Sequence, residues 1–261
     1  MIKLIATDLD GTLLNDEGKL NNDFYKIVDK LSEKGIIFAA ASGRFYSTLC
    51  DNFKKVNSNM LVIGHNGGII KYINNGDTLY KDTIKPEIIN KVIDIGRENN
   101  LQILLCNRDF AYLENPSKDL LESLQFGKST AVILNSVKEV KDEIFKITFF
   151  EKGGVRPHIL KLLQETFKDE LECVVSGKEW LDIMNKGVSK GKAIKLIQNK
   201  FNIKQEETMV FGDYYNDVPM FKRAYYSYAV ENAPMDVKKH ANFITKTNNE
   251  DGVLHAIRKI L

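Results

Sequence analysis

Two carboxylates one residue apart, Asp8 and Asp10, close a short β-type run, Ile2 to Thr7, in the segment Asp8-Leu9-Asp10-Gly11-Thr12. At a strand end such a pair can face a phosphoryl group and a hard cation together. Mg²⁺ takes oxygen ligands and commonly combines one or two carboxylates with water and substrate phosphate. One carboxylate can attack phosphorus as a nucleophile, while its neighbour serves as general acid and then general base. Gly11 permits a tight departure from the strand. Taken alone, an Asp-x-Asp pair is an ordinary polar turn, so its weight depends on what else the chain supplies.

It supplies a second acidic segment, Phe211-Gly212-Asp213-Tyr214-Tyr215-Asn216-Asp217, after the apolar run Thr208 to Phe211. Asp213 and Asp217 would complete a metal site, Asp217 either as a ligand or by orienting one. The plainer reading is a strand-to-helix turn capped by Asn216 or Asp217. Ser42-Gly43-Arg44 offers a hydroxyl, a backbone amide and a guanidinium at an expected helix start. That suits phosphate, because helix N-termini present free N–H groups; a simple serine cap is the alternative. Lys190, in Val188-Ser189-Lys190-Gly191-Lys192, also stands at an expected helix start. The helix dipole disfavours a cation there, and crowded carboxylates with phosphate would offset that cost. Lys192 is the rival position, and a surface lysine the plainer reading.

The elements that must position these residues follow from periodicity. Ile2 to Thr7, Ile36 to Ala41 and Met60 to Ile63 are apolar runs suited to buried strands. Leu20, Phe24, Ile27, Val28 and Leu31 recur at helical spacing between the first two, and Leu49, Phe53 and Val56 between the second and third. Strand, helix, strand, helix, strand implies parallel pairing through right-handed crossovers. Ligands of such sheets sit at the carboxyl ends of the strands, so Asp8, Ser42 and Asn66 (in Asn66-Gly67-Gly68) converge despite their separation. Ile69 to Tyr72 and Thr78 to Lys81 flank a hairpin signal, Asn74-Asn75-Gly76-Asp77.

From Pro86 the pattern changes. Leu101 to Cys106, Ala111 to Glu114, Ile144 to Phe150, Leu171 to Val175 and Trp180 to Met184 are β-type runs mixed with helical stretches such as Ile159 to Phe167. The first pattern resumes near Gly187. The fold class expected is α/β: a doubly wound parallel-sheet, Rossmann-like core of residues 1–81 and 186–261, with an inserted α+β unit of residues 82–185.

The 37 basic and 35 acidic side chains leave a formal charge of +2, with the two signs interleaved. That argues against a dedicated nucleic-acid binder, which would show a basic patch or stripe. Cys50, Cys106 and Cys173 lie far apart, which argues against a disulfide framework or zinc site and for a reducing cytoplasm. The start Met1-Ile2-Lys3-Leu4 has no signal-peptide pattern, and no run reaches the length of a membrane span. His65, His158, His240 and His255 show no ligand spacing. Nothing in the pattern sets an oligomeric state.

Together these residues resemble the haloacid dehalogenase-like hydrolase superfamily, in its Cof-type branch of sugar-phosphate and small-metabolite phosphatases. The resemblance spans the chain: D-x-D-G-T at Asp8–Thr12, Ser42-Gly43-Arg44, Asn66-Gly67-Gly68, S-K-G around Lys190, and G-D-x-x-N-D at Gly212–Asp217. It implies that Asp8 is the nucleophile and Asp10 the acid and base. Asp8, Asp10 (through its backbone carbonyl) and Asp213 would hold Mg²⁺, with Asp217 a ligand or a ligand's support. Ser42, Lys190, Asn216 and the amides of Leu9 and Gly43 would hold the phosphoryl oxygens, and the insert would be a mobile cap. The substrate would be a small phosphorylated metabolite. A phosphomutase of the same superfamily and a phosphate-ligand sensor with little turnover are the alternatives. Tyr214 and Tyr215 depart from the smaller residues frequent in the family and would narrow the mouth of the site.

Overall fold

A computed structural model describes residues 1–73, 76–126 and 130–261. The chain divides into one unit of Met1–Lys81 with Ser189–Leu261 and a second of Asp82–Val188. The first segment runs β1 (Leu4–Thr7), α1 (Asp23–Glu33), β2 (Ile37–Ala41), α2 (Tyr46–Asn52), β3 (Leu61–Gly64), β4 (Ile69–Tyr72) and β5 (Thr78–Lys81). The second unit holds α3 (Pro86–Glu98), β6 (Gln102–Cys106), β7 (Ala111–Glu114), α4 (Lys118–Phe126), β8 (Ala131–Leu134), β9 (Lys146–Phe150), α5 (Pro157–Thr166), β10 (Leu171–Gly177) and β11 (Trp180–Asn185). The chain then returns with α6 (Lys190–Phe201), β12 (Thr208–Gly212), α7 (Val218–Phe221), β13 (Tyr226–Val230), α8 (Met235–Lys238), β14 (Phe243–Thr245) and α9 (Gly252–Ile257).

The first unit is an eight-stranded sheet in the order β14-β13-β12-β1-β2-β3-β4-β5. The six strands from β14 to β3 are parallel, and β4 and β5 add an antiparallel edge. Both faces are covered, and the alternation of side chains along each strand decides which helix layer each residue meets. Ile5, Phe38, Ala40, Met209 and Phe211 pack with Phe24, Ile27 and Leu31 of α1 and with Leu254 and Ile257 of α9. Their neighbours Leu4, Ala6, Ala39, Ala41 and Val210 pack with Ala193, Ile194 and Ile197 of α6 and with Met220 of α7. Burial on both faces explains why these strands read as continuous apolar runs.

Chain order reverses at β1. The chain moves outward from β1 through β2 to β3, and β12 returns to its other side. That switch point opens a crevice at the strands' carboxyl ends. Register sets its floor level: Thr7 pairs with Phe211, so Asp8 and Gly212 leave the sheet side by side. The Asp8 amide still donates to the Phe211 carbonyl at 2.9 Å.

The second unit is a six-stranded sheet in the order β10-β11-β9-β6-β7-β8, antiparallel except for the β7–β8 pair. One face carries α3 and α5, through Ile89, Val92, Ile93, Ile159 and Leu163 against Ile103, Leu105, Ile147, Phe149, Leu181 and Ile183. The alternate positions carry a polar group: Lys146 Nζ and Thr148 Oγ1 donate to Asp182 at 3.0 and 2.8 Å.

Three differences from the sequence reading have local causes. Strand β8 carries no period-2 pattern, because it is a four-residue edge strand whose central Val132 and Ile133 face outward. Helix α2 ends at Asn52, so Phe53 and Val56 are buried beyond its end. The same helix begins at Tyr46, which leaves Ser42-Gly43-Arg44 in the loop before it, not at its first turn. The hairpin turn expected at Asn74-Asn75-Gly76-Asp77 lies partly outside the described residues. Among the described residues no helix is long and apolar enough to cross a membrane.

Candidate active site

Past β1 the chain makes a single wide turn, Leu9–Leu13, closed by the Leu14 amide donating to the Leu9 carbonyl at 2.9 Å. Gly11 sits in the left-handed region at φ +76°, and a Cβ there would stand 2.6 Å from Asp213 Oδ2. A glycine is therefore what lets the first acidic loop approach the second. Thr12 Oγ1 donates to Asp213 Oδ1 at 2.8 Å, and Asn232 Nδ2 donates to the Gly11 carbonyl at 2.7 Å. The Leu9 side chain is sunk in the core, so its backbone alone faces the site.

Asp8, Asp213 and Asp217 each bring a carboxylate oxygen within 4.8 Å of the others. Between them lies Lys190, the first residue of α6 and fully buried. Its ammonium donates to Asp8 Oδ1 at 2.5 Å and to Asp217 Oδ1 at 2.6 Å. Lys192, the rival, places its ammonium 5.3 Å from the Tyr80 ring. Ser189 caps α6 by accepting from the Lys192 amide at 3.1 Å, which takes up a free N–H at the turn where Lys190 enters. Asp217 is buried as well, and its Oδ2 accepts the Asp213 and Tyr214 amides at 3.0 and 3.1 Å. One carboxylate thus fixes the loop after β12 and the lysine together.

Three carboxylates around one ammonium leave an excess of negative charge away from water. Burial pushes the Asp8 carboxyl well above the usual carboxylate range; Lys190 opposes this, and Asp217 and Asp213 add to it. Burial also raises Asp213, with Asp217 adding and Thr12 and Lys190 opposing. Burial works against the Lys190 charge, yet Asp217 and Asp8 outweigh it and hold the pKa above that of an ordinary lysine. The donor set is all oxygen with uncompensated negative charge, which fits a hard divalent cation.

Asp10 does not join this cluster. Arg44 Nε donates to Asp10 Oδ2 at 2.8 Å and Nη2 binds Oδ1, while Nη1 reaches Asn52 Oδ1 of α2 at 3.2 Å. The Asp10 carboxylate is more than half exposed and held in a guanidinium fork. Ser42 is buried, its Oγ accepting the Arg44 amide at 3.2 Å. The loop after β3 is tied to this one, because the Asn66 amide donates to the Ser42 carbonyl at 3.0 Å. Asn66, at φ +55°, accepts from Asn216 Nδ2 at 3.1 Å, and its side chain lies against Gly43, where a Cβ would stand 3.2 Å from it. The structure thus joins Asp8, Asp213, Asp217 and Lys190 in one cluster and Ser42, Gly43, Arg44, Asn66 and Asn216 in a second. Asn232 and Asn52 escaped the sequence reading, since neither lies in a motif. Only the topology brings the loop after β13 over Gly11. His65 is buried with its ring 5.4 Å from that of Phe45.

The chain is similar over its length to proteins named as phosphatases. A 5-amino-6-(5-phospho-D-ribitylamino)uracil phosphatase of Escherichia coli (strain K12) is 27% identical over 263 residues, covering 100% of this chain and 96% of that protein. A phosphatase of the same description from Bacillus subtilis (strain 168) is 28% identical over 259 residues, covering 98% and 95%. Among solved structures, a Streptococcus mutans UA159 protein superposes with a TM-score of 0.89 at 32% identity, covering 100% of this chain and 99% of that one. The family model for haloacid dehalogenase-like hydrolases matches residues 5–257, from within β1 to the last residue of α9. Since that match takes in both acidic loops and the buried lysine between them, the chain belongs to the haloacid dehalogenase-like hydrolase family.

Proposed function

We propose that this protein is a Mg²⁺-dependent phosphatase acting on small phosphorylated metabolites, sugar phosphates or similar, through an aspartyl-phosphate on Asp8. The observation that carries the reading is the buried cluster of Asp8, Asp213 and Asp217 around Lys190 at the sheet's switch point. A crowded set of carboxylates held by one lysine costs stability, and function is a reason to keep it. The curated relatives are named for a phosphoribityl ester, which puts polyol and sugar phosphates within range.

Asp8 and Asp213 would hold the cation. Asp217 is already committed to Lys190 and two amides and would act by orienting them. A divalent cation held there would supply positive charge to offset the negative charge building up on the phosphoryl group. Asp8 attacks phosphorus while the bond to the leaving oxygen breaks. Asp10, once released from Arg44 and protonated from solvent, would give that proton to the leaving oxygen. Asp10 then takes a proton from the water that attacks the acyl phosphate, which frees phosphate and restores Asp8. Ser42, Lys190, Asn216 and the Leu9 and Gly43 amides would hold the phosphoryl oxygens, with Asn66 supporting Asn216. Positioning and charge neutralisation are the main protein contributions to such transfers. The inserted unit is assigned the part of a mobile cap on resemblance. A cytoplasmic setting matches three reduced cysteines.

The test is phosphate release from a panel of phosphorylated sugars, polyols and nucleotides, with Mg²⁺ or with chelator. Magnesium-dependent release from at least one is expected. No release from any ester while Mg²⁺ binds would favour the phosphomutase or sensor readings.

A further inference from the structure

Gly11 solves one problem of the first acidic turn and creates another. It lets the turn approach Asp213, since a Cβ there would stand 2.6 Å from Asp213 Oδ2. It also leaves the turn loose, because glycine has the most backbone freedom of any residue. Asp10 and Gly11 are the two positions of Leu9–Leu13 with non-helical dihedrals, φ −73°, ψ 122° and φ 76°, ψ −2°. The Asp10 side chain is held by Arg44, and that hold must end before Asp10 can serve the reaction. A restraint on Asp10 that survives this release has to act through the backbone beside it.

Asn232, in the turn after β13, supplies one. Its Nδ2 donates to the Gly11 carbonyl at 2.7 Å, and its Oδ1 accepts the Asn248 amide at 3.0 Å. The second bond fixes which way the Asn232 side chain is turned, with its donor toward Gly11. Asn248 is buried, and its Nδ2 donates to the Leu14 carbonyl at 3.1 Å and to Asp16 Oδ1 at 2.9 Å. Leu14 is the residue whose amide closes the same turn. The turn is thus gripped at its middle by Asn232 and at its end by Asn248. Asn248 stands in a capped turn of its own, where Thr247 Oγ1 accepts the Glu250 amide at 3.2 Å. Asn232 is exposed, so its two bonds do not follow from filling the core. Ordering an exposed side chain costs conformational entropy, and steadying the flexible peptide beside Asp10 is a reason to bear that cost.

We infer that Asn232 is a positioning residue: by holding the Gly11 peptide it keeps Asp10 aimed at the leaving oxygen after Arg44 lets go. This rests on the phosphatase reading and extends it to a residue outside every motif. In the step concerned, the bond from Asp8 to phosphorus forms, the bond to the leaving oxygen breaks, and the Asp10 proton passes to that oxygen. Without Asn232 the acid is still present but less well placed, and a misplacement of about 1 Å is enough to slow such a transfer severely. The loss falls on esters whose leaving oxygen needs the proton.

Phenyl phosphate and p-nitrophenyl phosphate are close in shape, but p-nitrophenolate leaves without a proton far more readily than phenolate. Their kcat/KM values, which report on the steps up to phosphorylation of Asp8, are compared in Mg²⁺ for wild type, Asn232→Ala and Asn249→Ala. Asn249 bonds Asp16 on the outer side of the same loops, so its loss loosens them without removing the bond to Gly11. Asn232→Ala should lower the phenyl phosphate value by about tenfold or more and the p-nitrophenyl phosphate value by no more than about twofold. Asn249→Ala should leave the ratio of the two values as in wild type. Carbon NMR of the carboxylates, with the Asp10 signal assigned by Asp10→Asn, reads the placement without turnover: the signal should shift in Asn232→Ala and stay in Asn249→Ala. Equal losses for both esters, or an unmoved Asp10 signal, overturns the positioning role and leaves the phosphatase reading intact. If wild type hydrolyses neither ester while Asn232→Ala alone moves the Asp10 signal, the placement of Asp10 by Asn232 stands and the phosphatase reading falls.

Discussion

Lys190 occupies the most constrained position in the protein. It is a fully buried ammonium at a helix N-terminus, where both desolvation and the dipole oppose its charge. Asp8 and Asp217, at 2.5 and 2.6 Å, reverse that balance. Removing one partner of a buried ionic group is costlier than removing the whole group. Lys190→Ala should therefore lower unfolding free energy by about 3–5 kcal/mol, read by urea denaturation of the metal-free protein. The carboxylates make the complementary prediction. Asp8 and Asp213 carry raised pKa values, so they bind protons more readily than free carboxylates. A cation must displace those protons. Mg²⁺ affinity should fall as pH is lowered, with proton release on binding, both measured by calorimetry in buffers of different ionisation enthalpy. At this scale the acids and the lysine were legible in the sequence, because each follows a strand or opens a helix within a short motif. The Arg44–Asp10 fork was not. Pattern places a guanidinium near the site but does not choose between a phosphate and a carboxylate as its partner.

Elements bring these side chains together by register and close approach. Asp8 and Gly212 are level because Thr7 pairs with Phe211, an outcome of parallel pairing between strands about 200 residues apart. Lys190 reaches between them because α6 packs tightly on the turn of α7. A Cβ at Gly191 would collide with the Pro219 carbonyl, which is backbone and cannot turn aside. Gly191→Ala should destabilise the protein by about 1–3 kcal/mol and lower the thermal midpoint. Because it displaces α6, it should also weaken Mg²⁺ binding; an unchanged midpoint would show that the contact relaxes freely. The buried parallel strands were easy to read, since both faces are apolar and their runs are continuous. The edge strand β8 was not, because Ala131 to Leu134 has neither length nor alternation. The site loop before α2 was read as a helix start, since serine and glycine mark caps and loops alike.

In the whole molecule, two cores of different architecture fold from one chain. The sequence reading puts the inserted unit at residues 82–185, and the second unit spans Asp82–Val188; exact crossing points depend on contacts that a pattern does not carry. The thiols distinguish the two units. Cys50 belongs to α2 in the first, and Cys106 and Cys173 lie buried on β6 and β10 in the second. Burial pushes Cys106 up to about 11, and burial with nearby Glu172 pushes Cys173 up to about 12. Both therefore stay protonated and shielded at pH 8, where the thiolate is the reacting form. Iodoacetamide at pH 8 should modify Cys50 first and spare Cys106 and Cys173 until denaturant opens the second unit. Peptide mass spectrometry across a urea series reads this directly, and rapid native labelling of Cys106 would contradict the packing described. The sign for stability follows: a thiol raised in the folded state favours folding below its ordinary value and loses that contribution as pH rises toward about 11.

If Asp8 is the nucleophile of a magnesium-dependent phosphohydrolase, as proposed, Asp8→Asn is the decisive variant. The substitution keeps the shape of the side chain and removes one charge from a crowded cluster. Phosphate release in Mg²⁺ should fall to background, with unaltered circular dichroism and, without metal, a thermal midpoint no lower than that of wild type. Release that persists at the wild-type rate in the folded variant would rule out Asp8 as the nucleophile.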